Sequence, residues 1–558
     1  MRHPALATLL APLACLATLA APQAAASDSP PEVVAQQKVN GSEGGFGGLL
    51  GAIDSFGGAV AVLGDLDGDG NQDVAVGAPR STGPDGGAVW LLYLQADGTV
   101  ISEVRLDATT AGLPLDASDN FGDALAVPGD LDLDGDLELA VGAPNHGTTL
   151  FAPGSVFVLS LTPAGAVAGS IQLAEGVNGV PGSGTVTGFG DALAALGDLD
   201  GNGVADLAVT DSFGPTNAPV IWLLQLQSDG TALAATALTS ADAAFGGLVL
   251  PNDNFASALA SVPDVDGDGD GELAIGAHTT GVQDQGAVWL AFLQAGPGVS
   301  SALRIGPGEA GFSGTLDDDA WFGRALAAGD LDGDTLPELV VGAPRCENSG
   351  GAYVGEGAAW ILELDGAGQV LDATRVAEGE VGFAGPLDDD DQFGWALALL
   401  PDAGGWDQLV AGAVGDGGAF VFAPGAIWVL DLEPYDPWTD LGLGLAGTAG
   451  VPLLAGIGPL TGNSLNSLDL SGALAGGSCT LVVGLAQLNA PFKGGTLVPL
   501  PFLLVVGLTA DGGGALSLPF VWPPGVPAGV ALYFQHWIND PAGPLGFAAS
   551  NGLRASTP

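Results

Sequence analysis

The chain has 558 residues, of which 64 are Asp or Glu and only 10 are Lys or Arg, so its formal net charge is −54. A chain this negative repels phosphate backbones and anionic lipids, which argues against nucleic acids and membrane surfaces as partners. Disorder often accompanies such a charge, but 47% of the residues are hydrophobic and the acids are clustered. Clustered acids in an apolar chain indicate metal sites.

The first 26 residues have the pattern of a secretory signal peptide. Arg2 precedes an apolar run from Ala5 to Pro22, and small residues precede a cleavage site after Ala26. The alternative is a lipoprotein signal anchored at Cys15, which Pro12 and the continuing apolar run disfavour. No later segment is apolar for about twenty residues, so we expect no membrane span. We expect a secreted monomer that acts outside the cell or at its surface.

The dipeptide Phe-Gly marks a repeat of 65 to 71 residues. It begins at residues 56, 121, 189, 322 and 393, and Phe255-Ala256 is a sixth, altered copy. Each of the first five copies is followed by four short segments with strand character, as in GGAVAVLGD, VAVGAP, GAVWLLYL and VISEVRLD. Four short strands per repeat are typical of a β-propeller, in which blades stack around an axis and cover each other's faces.

The sixth copy lacks a fourth strand, because the pattern stops after Leu432. The segment Glu32–Asn40, which precedes the first Phe-Gly, resembles the fourth strand of the first repeat. We therefore predict an all-β fold with a six-bladed propeller over residues 27–437, closed by the N-terminal strand. The alternative is a seventh blade from the C-terminal region, which would lack the repeat motif.

Residues 438–558 have a different composition, because the acids thin out and Gly, Leu, Pro and Ala dominate. Segments such as CTLVVGL, FLLVVGL and GVALYFQHWI indicate strands between Gly/Pro turns. We predict one small C-terminal β-sandwich of ordinary domain size. The ending DPAGPLGFAASNGLR resembles a module found at the C-terminus of many secreted bacterial proteins. Surface retention, export, binding and a structural cap all stay open as its role.

Five repeats carry an acidic turn between their first and second strands, and these turns align residue by residue. Positions one, three, five and nine are always Asp, Asn or Glu, whereas position seven varies. The candidate metal ligands are Asp65, Asp67, Asp69, Asn71 and Asp73; Asp130, Asp132, Asp134, Asp136 and Glu138; Asp198, Asp200, Asn202, Val204 and Asp206; Asp264, Asp266, Asp268, Asp270 and Glu272; and Asp330, Asp332, Asp334, Leu336 and Glu338.

This pattern favours calcium, which takes six to eight oxygen ligands in a tolerant geometry. A variable position seven suits a backbone carbonyl ligand, and glycine at position six, as in Gly70, permits a sharp bend. Thr335 replaces that glycine in the fifth turn. Solvated acidic turns are the alternative, but clustered carboxylates repel each other without a cation. Magnesium fits less well because it retains its waters. We predict about five Ca²⁺ sites and none in the sixth turn, PDAGGWDQ.

The Phe-Gly start, the acidic turn and a Gly-Ala-Pro after the second strand, as at Gly77-Ala78-Pro79, resemble FG-GAP repeats over about residues 32–433. Such repeats form the propeller of integrin α-chains and of many secreted bacterial proteins. The resemblance implies that the acidic turns bind calcium on one face of the propeller. Copy three departs from the pattern at Thr210-Asp211-Ser212, and copies four and six also lack the complete Gly-Ala-Pro. Integrin propellers have seven blades, so a count of six is a further departure.

The sequence gives little support for catalysis, because after the signal peptide it has only His146, His278 and His536 and lacks the common catalytic motifs. We expect a non-catalytic adhesion or ligand-binding module for an unidentified extracellular protein or glycan, with structural calcium. A secreted hydrolase that cuts polysaccharide with paired carboxylates is one alternative. A surface scaffold without a specific ligand is the other.

Further acids precede several of the Phe-Gly dipeptides. They are Asp54, Asp119, Asp253, Asp317–Asp319 and Asp388–Asp391. We expect them to form a solvated acidic rim on the face opposite the acidic turns. The alternative is a ligand-binding face built from carboxylates.

Overall fold

The computed structural model describes residues 30–557 except 82–85, 148–152, 183–187, 213–217, 251, 295, 297, 348–354, 402–405, 419–422, 435–436, 461–463, 524–525 and 527–529. The predicted signal peptide lies outside these residues. The described chain is built of strands, with short 3-10 turns at Ala243–Phe245, Val282–Asp284 and Pro544–Gly546. None of the described helical turns is long and apolar enough to cross a membrane.

The chain divides into two compact units, one at Glu32–Glu433 and one that contains Pro434–Pro558. This division lies close to the predicted boundary between residues 437 and 438. The assignment of residues 27–437 and 438–558 to separate domains stays a prediction.

The described part of the first unit contains six four-stranded antiparallel sheets, numbered here in chain order. Their strands are β2 (Ala59–Gly64), β3 (Asp73–Ala78), β4 (Ala88–Leu94) and β5 (Val100–Leu106) in sheet 1; β6 (Leu125–Gly129), β7 (Leu137–Ala143), β8 (Ser155–Leu161) and β9 (Val167–Leu173) in sheet 2; β10 (Phe189–Ala195), β11 (Leu207–Asp211), β12 (Val220–Leu226) and β13 (Ala232–Thr239) in sheet 3; β14 (Phe255–Val262), β15 (Glu272–Ala277), β16 (Ala287–Gln294) and β17 (Gly298–Ile305) in sheet 4; β18 (Ala325–Gly329), β19 (Glu338–Ala343), β20 (Ala358–Leu364) and β21 (Val370–Val376) in sheet 5; and β22 (Phe393–Leu400), β23 (Gln408–Ala413), β24 (Ala426–Pro434) and β1 (Pro31–Val39) in sheet 6.

The first strands of these sheets form a closed ring. They contact one another in the cyclic order β2, β6, β10, β14, β18 and β22, and β22 contacts β2. The N-terminal strand β1 pairs with β24 and is the outer strand of sheet 6, in the order β1-β24-β23-β22. The predicted all-β propeller, closed by its N-terminal strand, is therefore confirmed.

In sheet 1 the two middle strands are more completely buried than the inner strand β2 or the outer strand β5. Strands β3 and β4 are buried at every residue, which a sheet packed between two neighbours requires. The outer strand β5 is buried only at its two ends. The continuous apolar runs AVWLLYL and AIWVLDL are therefore the middle strands of the sheets.

A contact between two glycines joins neighbouring sheets at five of the six places around the ring. A Cβ atom on Gly77 of β3 would lie 2.0 Å from the carbonyl oxygen of Gly122 in sheet 2, and one on Gly142 would lie 2.1 Å from that of Gly190. The same contact joins Gly276 to Gly323, Gly342 to Gly394 and Gly412 to Gly57. The Phe-Gly dipeptide and the glycine of Gly-Ala-Pro are thus the two halves of one inter-sheet contact.

The contact between sheets 3 and 4 differs on both sides. Thr210 replaces the glycine in sheet 3, and Ala256 replaces the glycine of Phe-Gly in sheet 4. The Thr210 hydroxyl donates a hydrogen bond of 2.9 Å to the Ala256 carbonyl oxygen. Ala256 keeps a positive φ of 66°, in the region that favours glycine. The departures of copies three and four are therefore one linked change.

We expect Gly77→Ala to lower the free energy of unfolding by about 2 to 4 kcal/mol, because its methyl group would overlap the Gly122 carbonyl. Gly169→Ala is the matched control, since Gly169 lies in β9 and a Cβ there meets nothing within 4 Å. Denaturant unfolding of both variants measures the difference. Equal losses of stability would contradict the proposed close contact.

The second unit contains two sheets, one of strands β25, β33, β31, β28 and β29 with β32 beside β31, and one of β26, β27 and β30. Their bounds are β25 (Trp438–Gly442), β26 (Leu453–Ile457), β27 (Leu465–Ser471), β28 (Ser478–Phe492), β29 (Gly495–Thr509), β30 (Leu516–Val521), β31 (Ala531–Asn539), β32 (Phe547–Ala549) and β33 (Gly552–Ser556). One buried cluster takes Leu468 and Phe520 from the smaller sheet and Leu481 and Phe534 from the larger. The core therefore lies between two sheets, as in a β-sandwich.

A buried histidine should make this unit sensitive to acid. His536 in β31 has no exposed surface, and neither ring nitrogen has a hydrogen-bond partner among the described residues. Burial lowers the pKa of His536 from 6.5 to about 4. Below pH 6.5 the unfolded chain therefore takes up a proton that the folded chain does not, and stability falls as the pH falls towards 4.

We expect the β31 amides to lose about 2 kcal/mol of hydrogen-exchange protection between pH 7 and pH 5, once intrinsic exchange rates are removed. His536→Phe keeps a buried ring without a titratable group and should reduce that loss. An equal loss in both proteins would assign the acid sensitivity to other groups.

Candidate metal centre

Each acidic turn brings three carboxylates together. One oxygen from each of three residues lies within 4.8 Å of the other two. Four turns use positions one, three and nine, and the second turn uses positions one, three and five. The five clusters are Asp65, Asp67 and Asp73; Asp130, Asp132 and Asp134; Asp198, Asp200 and Asp206; Asp264, Asp266 and Glu272; and Asp330, Asp332 and Glu338.

The position-one carboxylate shapes the turn by accepting a backbone hydrogen bond. The N–H of Gly70 donates to Asp65 Oδ2 at 3.0 Å, and the N–H of Thr335 donates to Asp330 Oδ2 at 3.1 Å. The three other turns have the same bond at 2.7 to 3.0 Å. The turns therefore share one backbone conformation, including the fifth turn without its glycine.

The position-nine carboxylate is buried at the start of the second strand. Asp73 accepts the N–H of Leu66 at 3.0 Å and the N–H of Leu94 in β4 at 3.1 Å. Burial raises the pKa of Asp73 to about 6, and the charges of Asp67 and Asp69 raise it further against those hydrogen bonds. In the fifth turn burial raises the pKa of Glu338 to about 8.

This donor set fits a hard divalent cation. The converging atoms are all carboxylate oxygens, and calcium accepts such ligands at 2.3–2.6 Å in flexible geometry. The raised pKa of Asp73 has burial and neighbouring carboxylates as its causes, so a cation placed among these oxygens would offset both. The residues present therefore fit calcium.

Several predicted ligands lie outside the carboxylate clusters. In all five turns an oxygen of the position-five side chain accepts the N–H of position seven, as Asp69 does from Asn71 at 2.8 Å and Asn202 from Val204 at 2.7 Å, and only in the second turn is position five also part of the cluster. Asp268 and Asp334 do the same in the fourth and fifth turns. In the second turn Asp136 and Glu138 lie outside the cluster. The roles of positions five and seven as ligands stay predictions.

The second turn has a distinguishing feature that the ligand pattern missed. Position four is glycine in the other turns, with φ of 76° to 80° at Gly68, Gly201, Gly267 and Gly333. In the second turn this position is Leu133, which has a φ of 61° and is 87% exposed. A residue-by-residue alignment of position four would have found this difference. The second turn therefore combines a different carboxylate set with a strained leucine.

Comparison with known proteins agrees with the repeats seen in the structure. The FG-GAP repeat family matches residues 56–92, 255–290 and 322–362, which contain the first, fourth and fifth acidic turns. Relatives include integrin alpha-7 of Homo sapiens at 38% identity over 159 residues, integrin alpha-6 of Gallus gallus at 36% over 164, and integrin alpha-PS2 of Drosophila melanogaster at 34% over 161.

The chain contains an integrin α-like FG-GAP propeller. The predicted FG-GAP resemblance is thereby confirmed, whereas a bacterial origin stays a prediction. Each of these three matches covers 28% of this chain and 11 to 14% of the relative. The activities and partners of the whole relatives are therefore not transferred to this chain as findings.

The sixth turn of the FG-GAP propeller lies partly outside the described residues, at 402–405. Gln408 begins β23, whereas β3, β15 and β19 begin with Asp or Glu. Its Nε2 donates to the Ala96 carbonyl at 2.9 Å and to Asp431 Oδ1 at 3.1 Å. A neutral amide thus replaces the position-nine carboxylate. The expected lack of an ion in this turn stays a prediction.

The structure contradicts the prediction of a solvated acidic rim for four of these aspartates. Asp54, Asp119, Asp253 and Asp391 are buried, and each accepts the N–H of the residue three positions earlier at 2.7 to 2.9 Å. These four carboxylates therefore cap the turn that leads into the Phe dipeptide. The rim hypothesis was wrong for them because a turn with unpaired amides recruits a nearby carboxylate. The first members of both acidic runs, Asp317 and Asp388, are exposed as expected.

The fifth acidic turn should gain stability from glycine at position six. Thr335 has a φ of 84°, where a β-branched residue is strained. We expect Thr335→Gly to raise the free energy of unfolding by about 1 kcal/mol in calcium. Thr335→Ala is the control, because alanine keeps a Cβ at the strained position and should gain less. Thermal unfolding tests this, and a loss of stability in Thr335→Gly would contradict it.

Proposed function

We propose that this FG-GAP propeller is a calcium-stabilised extracellular module that binds a protein or glycan ligand without catalysing a reaction. The observation that carries the proposal is the convergence of three carboxylates in each of five aligned turns. The similarity to integrin α chains supports an adhesion or ligand-binding role and a place outside the cell. The apolar N-terminal segment supports secretion.

In this proposal each ion is bound by positions one, three, five and nine of an acidic turn, together with the backbone carbonyl of position seven. The ion then links strands as well as closing a turn. Asp73 follows the turn that joins β2 to β3 and accepts the N–H of Leu94 in β4. Calcium would hold this buried carboxylate in its charged form and so stabilise three strands of the sheet at once.

A polysaccharide hydrolase is less well supported, because it needs a free pair of carboxylates with one acid and one base or nucleophile. The buried aspartates before the Phe dipeptides cap turns, and His146 Nδ1 contacts Asp119 Oδ2 at 2.6 Å. Many acids of this chain thus have structural contacts. Reducing-sugar release from a polysaccharide panel would distinguish a hydrolase from a binder.

We expect chelator-stripped protein to take up about five calcium ions and to melt several degrees higher when they are bound, because binding to the folded state stabilises it. Calorimetric titration counts the ions, and a thermal melt at each end point measures the stabilisation. Asp264→Asn should remove about one ion, because its side chain keeps its shape but loses its charge.

Asp97→Asn is the matched control, since Asp97 lies in an exposed hairpin outside the five clusters and accepts the N–H of Thr99 at 3.0 Å. This variant should keep the full number of ions. The absence of calcium uptake by the unaltered protein would refute the metal sites. Binding to protein and glycan arrays in calcium and in chelator then tests the module's ligand-binding role.

A further inference from the structure

The residue after each Phe dipeptide faces the propeller axis. In all six sheets this residue is partly exposed, whereas the residues on both sides of it are buried. The six first strands form the innermost ring, so solvent that reaches these side chains lies inside that ring. The six residues, called here the axial mouth, are Gly58, Asp123, Asp191, Ser257, Arg324 and Trp395.

Charged side chains face the axis at the level of the axial mouth but not at the next level along the first strands. Four residues further along each first strand, the next ring of partly exposed residues is small or apolar. It consists of Val62, Val127, Ala195, Ser261, Ala328 and Leu399. The charged groups are therefore concentrated at the Phe-Gly end of the axis, opposite the end from which the acidic turns leave the first strands.

Opposite charges face each other across the axis. Asp123 and Asp191 lie in the neighbouring sheets 2 and 3, whereas Arg324 lies in sheet 5, across the ring from sheet 2. Burial and the charge of Asp191 raise the pKa of Asp123 to about 7, whereas the charges of Arg324 and Arg80 lower it. Within the part of the chain that the structure describes, no ion pair within 4.0 Å joins either aspartate to Arg324. Charges of opposite sign therefore lie near each other on the axis without direct contact.

Aromatic rings hold Arg324 of the axial mouth and the nearby Arg345. The Arg324 guanidinium carbon lies 4.1 Å from the Trp395 ring centroid, and that of Arg345 lies 4.6 Å from Trp321. Cation–π contacts fix the positions of these cations without neutralising their charge. Trp321 also lies beside His278, with 5.1 Å between the two ring centroids. The Nδ1 atom of His278 contacts Ser257 Oγ at 2.7 Å.

Two further features distinguish this end of the propeller axis. Trp321 has a φ of 59°, a conformation unfavourable for a bulky residue, at a position that is Ser, Asn, Gly or Gln in the other copies. Strained residues of this kind concentrate at binding sites, where the surrounding structure holds them. In addition, Arg80, Arg324 and Arg345 all lie at this end of the propeller, although the whole chain has only 10 basic residues.

We propose that the axial mouth binds a small zwitterion, a molecule with one carboxylate and one ammonium group, such as a free amino acid. The ammonium group would contact Asp123 and Asp191, and the carboxylate would contact Arg324, so that both fixed charges are paired through the ligand. An anion alone would meet Asp123 and Asp191, and a cation alone would meet Arg324, with the charge of Arg80 near Asp123. This proposal goes beyond the adhesion role and does not depend on calcium in the acidic turns.

The test is calorimetric titration of the full chain in calcium with glycine, acetate and methylammonium. Glycine carries both charges, and each of the other probes carries one. We expect saturable glycine binding at least tenfold tighter than that of either half. Asp123→Asn and Arg324→Gln should each weaken glycine binding at least tenfold. The thermal melt of each variant shows whether it is folded, and the asparagine variant, which keeps the side-chain shape, decides the outcome if the arginine variant unfolds.

Arg304→Gln is the matched control, because Arg304 lies on the outer strand β17 beside Glu309 and should leave glycine binding unchanged. Three outcomes would overturn the proposal. The first is no glycine binding at concentrations up to about 10 mM, a range that detects millimolar affinities. The second is equal binding of acetate and glycine, and the third is equal affinity in the protein and in folded Asp123→Asn.

Discussion

The propeller depends on the close approach of one backbone to the next at the inter-sheet glycines. The 2.0 Å that would separate a Cβ on Gly77 from the Gly122 carbonyl leaves no room for any side chain. Because the contact recurs around the ring, it sets the spacing of the inner strands and hence the width of the axis. The buried Phe rings and the alanines of Gly-Ala-Pro then pack around a backbone already held in place. The exception at Thr210 and Ala256 supports this, since the two substitutions occur together and a hydrogen bond replaces the direct contact.

The two ends of each first strand have different chemistry because they are built differently. At one end a nine-residue turn gathers carboxylates, and its last acid is buried so deeply that its pKa reaches about 6 in Asp73 and about 8 in Glu338. Such a turn is stable only when a cation or a proton offsets the charge. At the other end a buried aspartate caps the turn with a backbone hydrogen bond, as Asp119 does for Asp116 at 2.7 Å. The same residue type is therefore a metal-ligand candidate at one end and a structural cap at the other.

Much of this architecture could be predicted from the sequence, because the same structural motifs recur in successive repeats. Phe-Gly, the acidic turn and Gly-Ala-Pro each recur at a fixed place in the sheet, so the strand order and the closure by Glu32–Asn40 follow from alignment. The burial of the acids before the Phe dipeptides was missed, although their spacing indicates it. Asp54 and Asp391 lie two residues before a Phe and are buried, whereas Asp388 lies five residues before one and is exposed. The different cluster of the second turn also escaped, because the acids of that turn follow the same sequence pattern as those of the other four.

Positions that vary between repeats are better candidates for function than positions that every repeat shares. A repeat keeps what every sheet needs, so its glycines and phenylalanines describe assembly and say little about ligands. The residue after the Phe dipeptide is free of that constraint, since it faces solvent on the axis in every sheet. It is glycine in sheet 1, acidic in sheets 2 and 3, and basic in sheet 5. The six described sheets therefore present an asymmetric set of side chains to the axis, as the proposed zwitterionic ligand requires. The strained Trp321 lies at that site, where it supports Arg345 and adjoins His278.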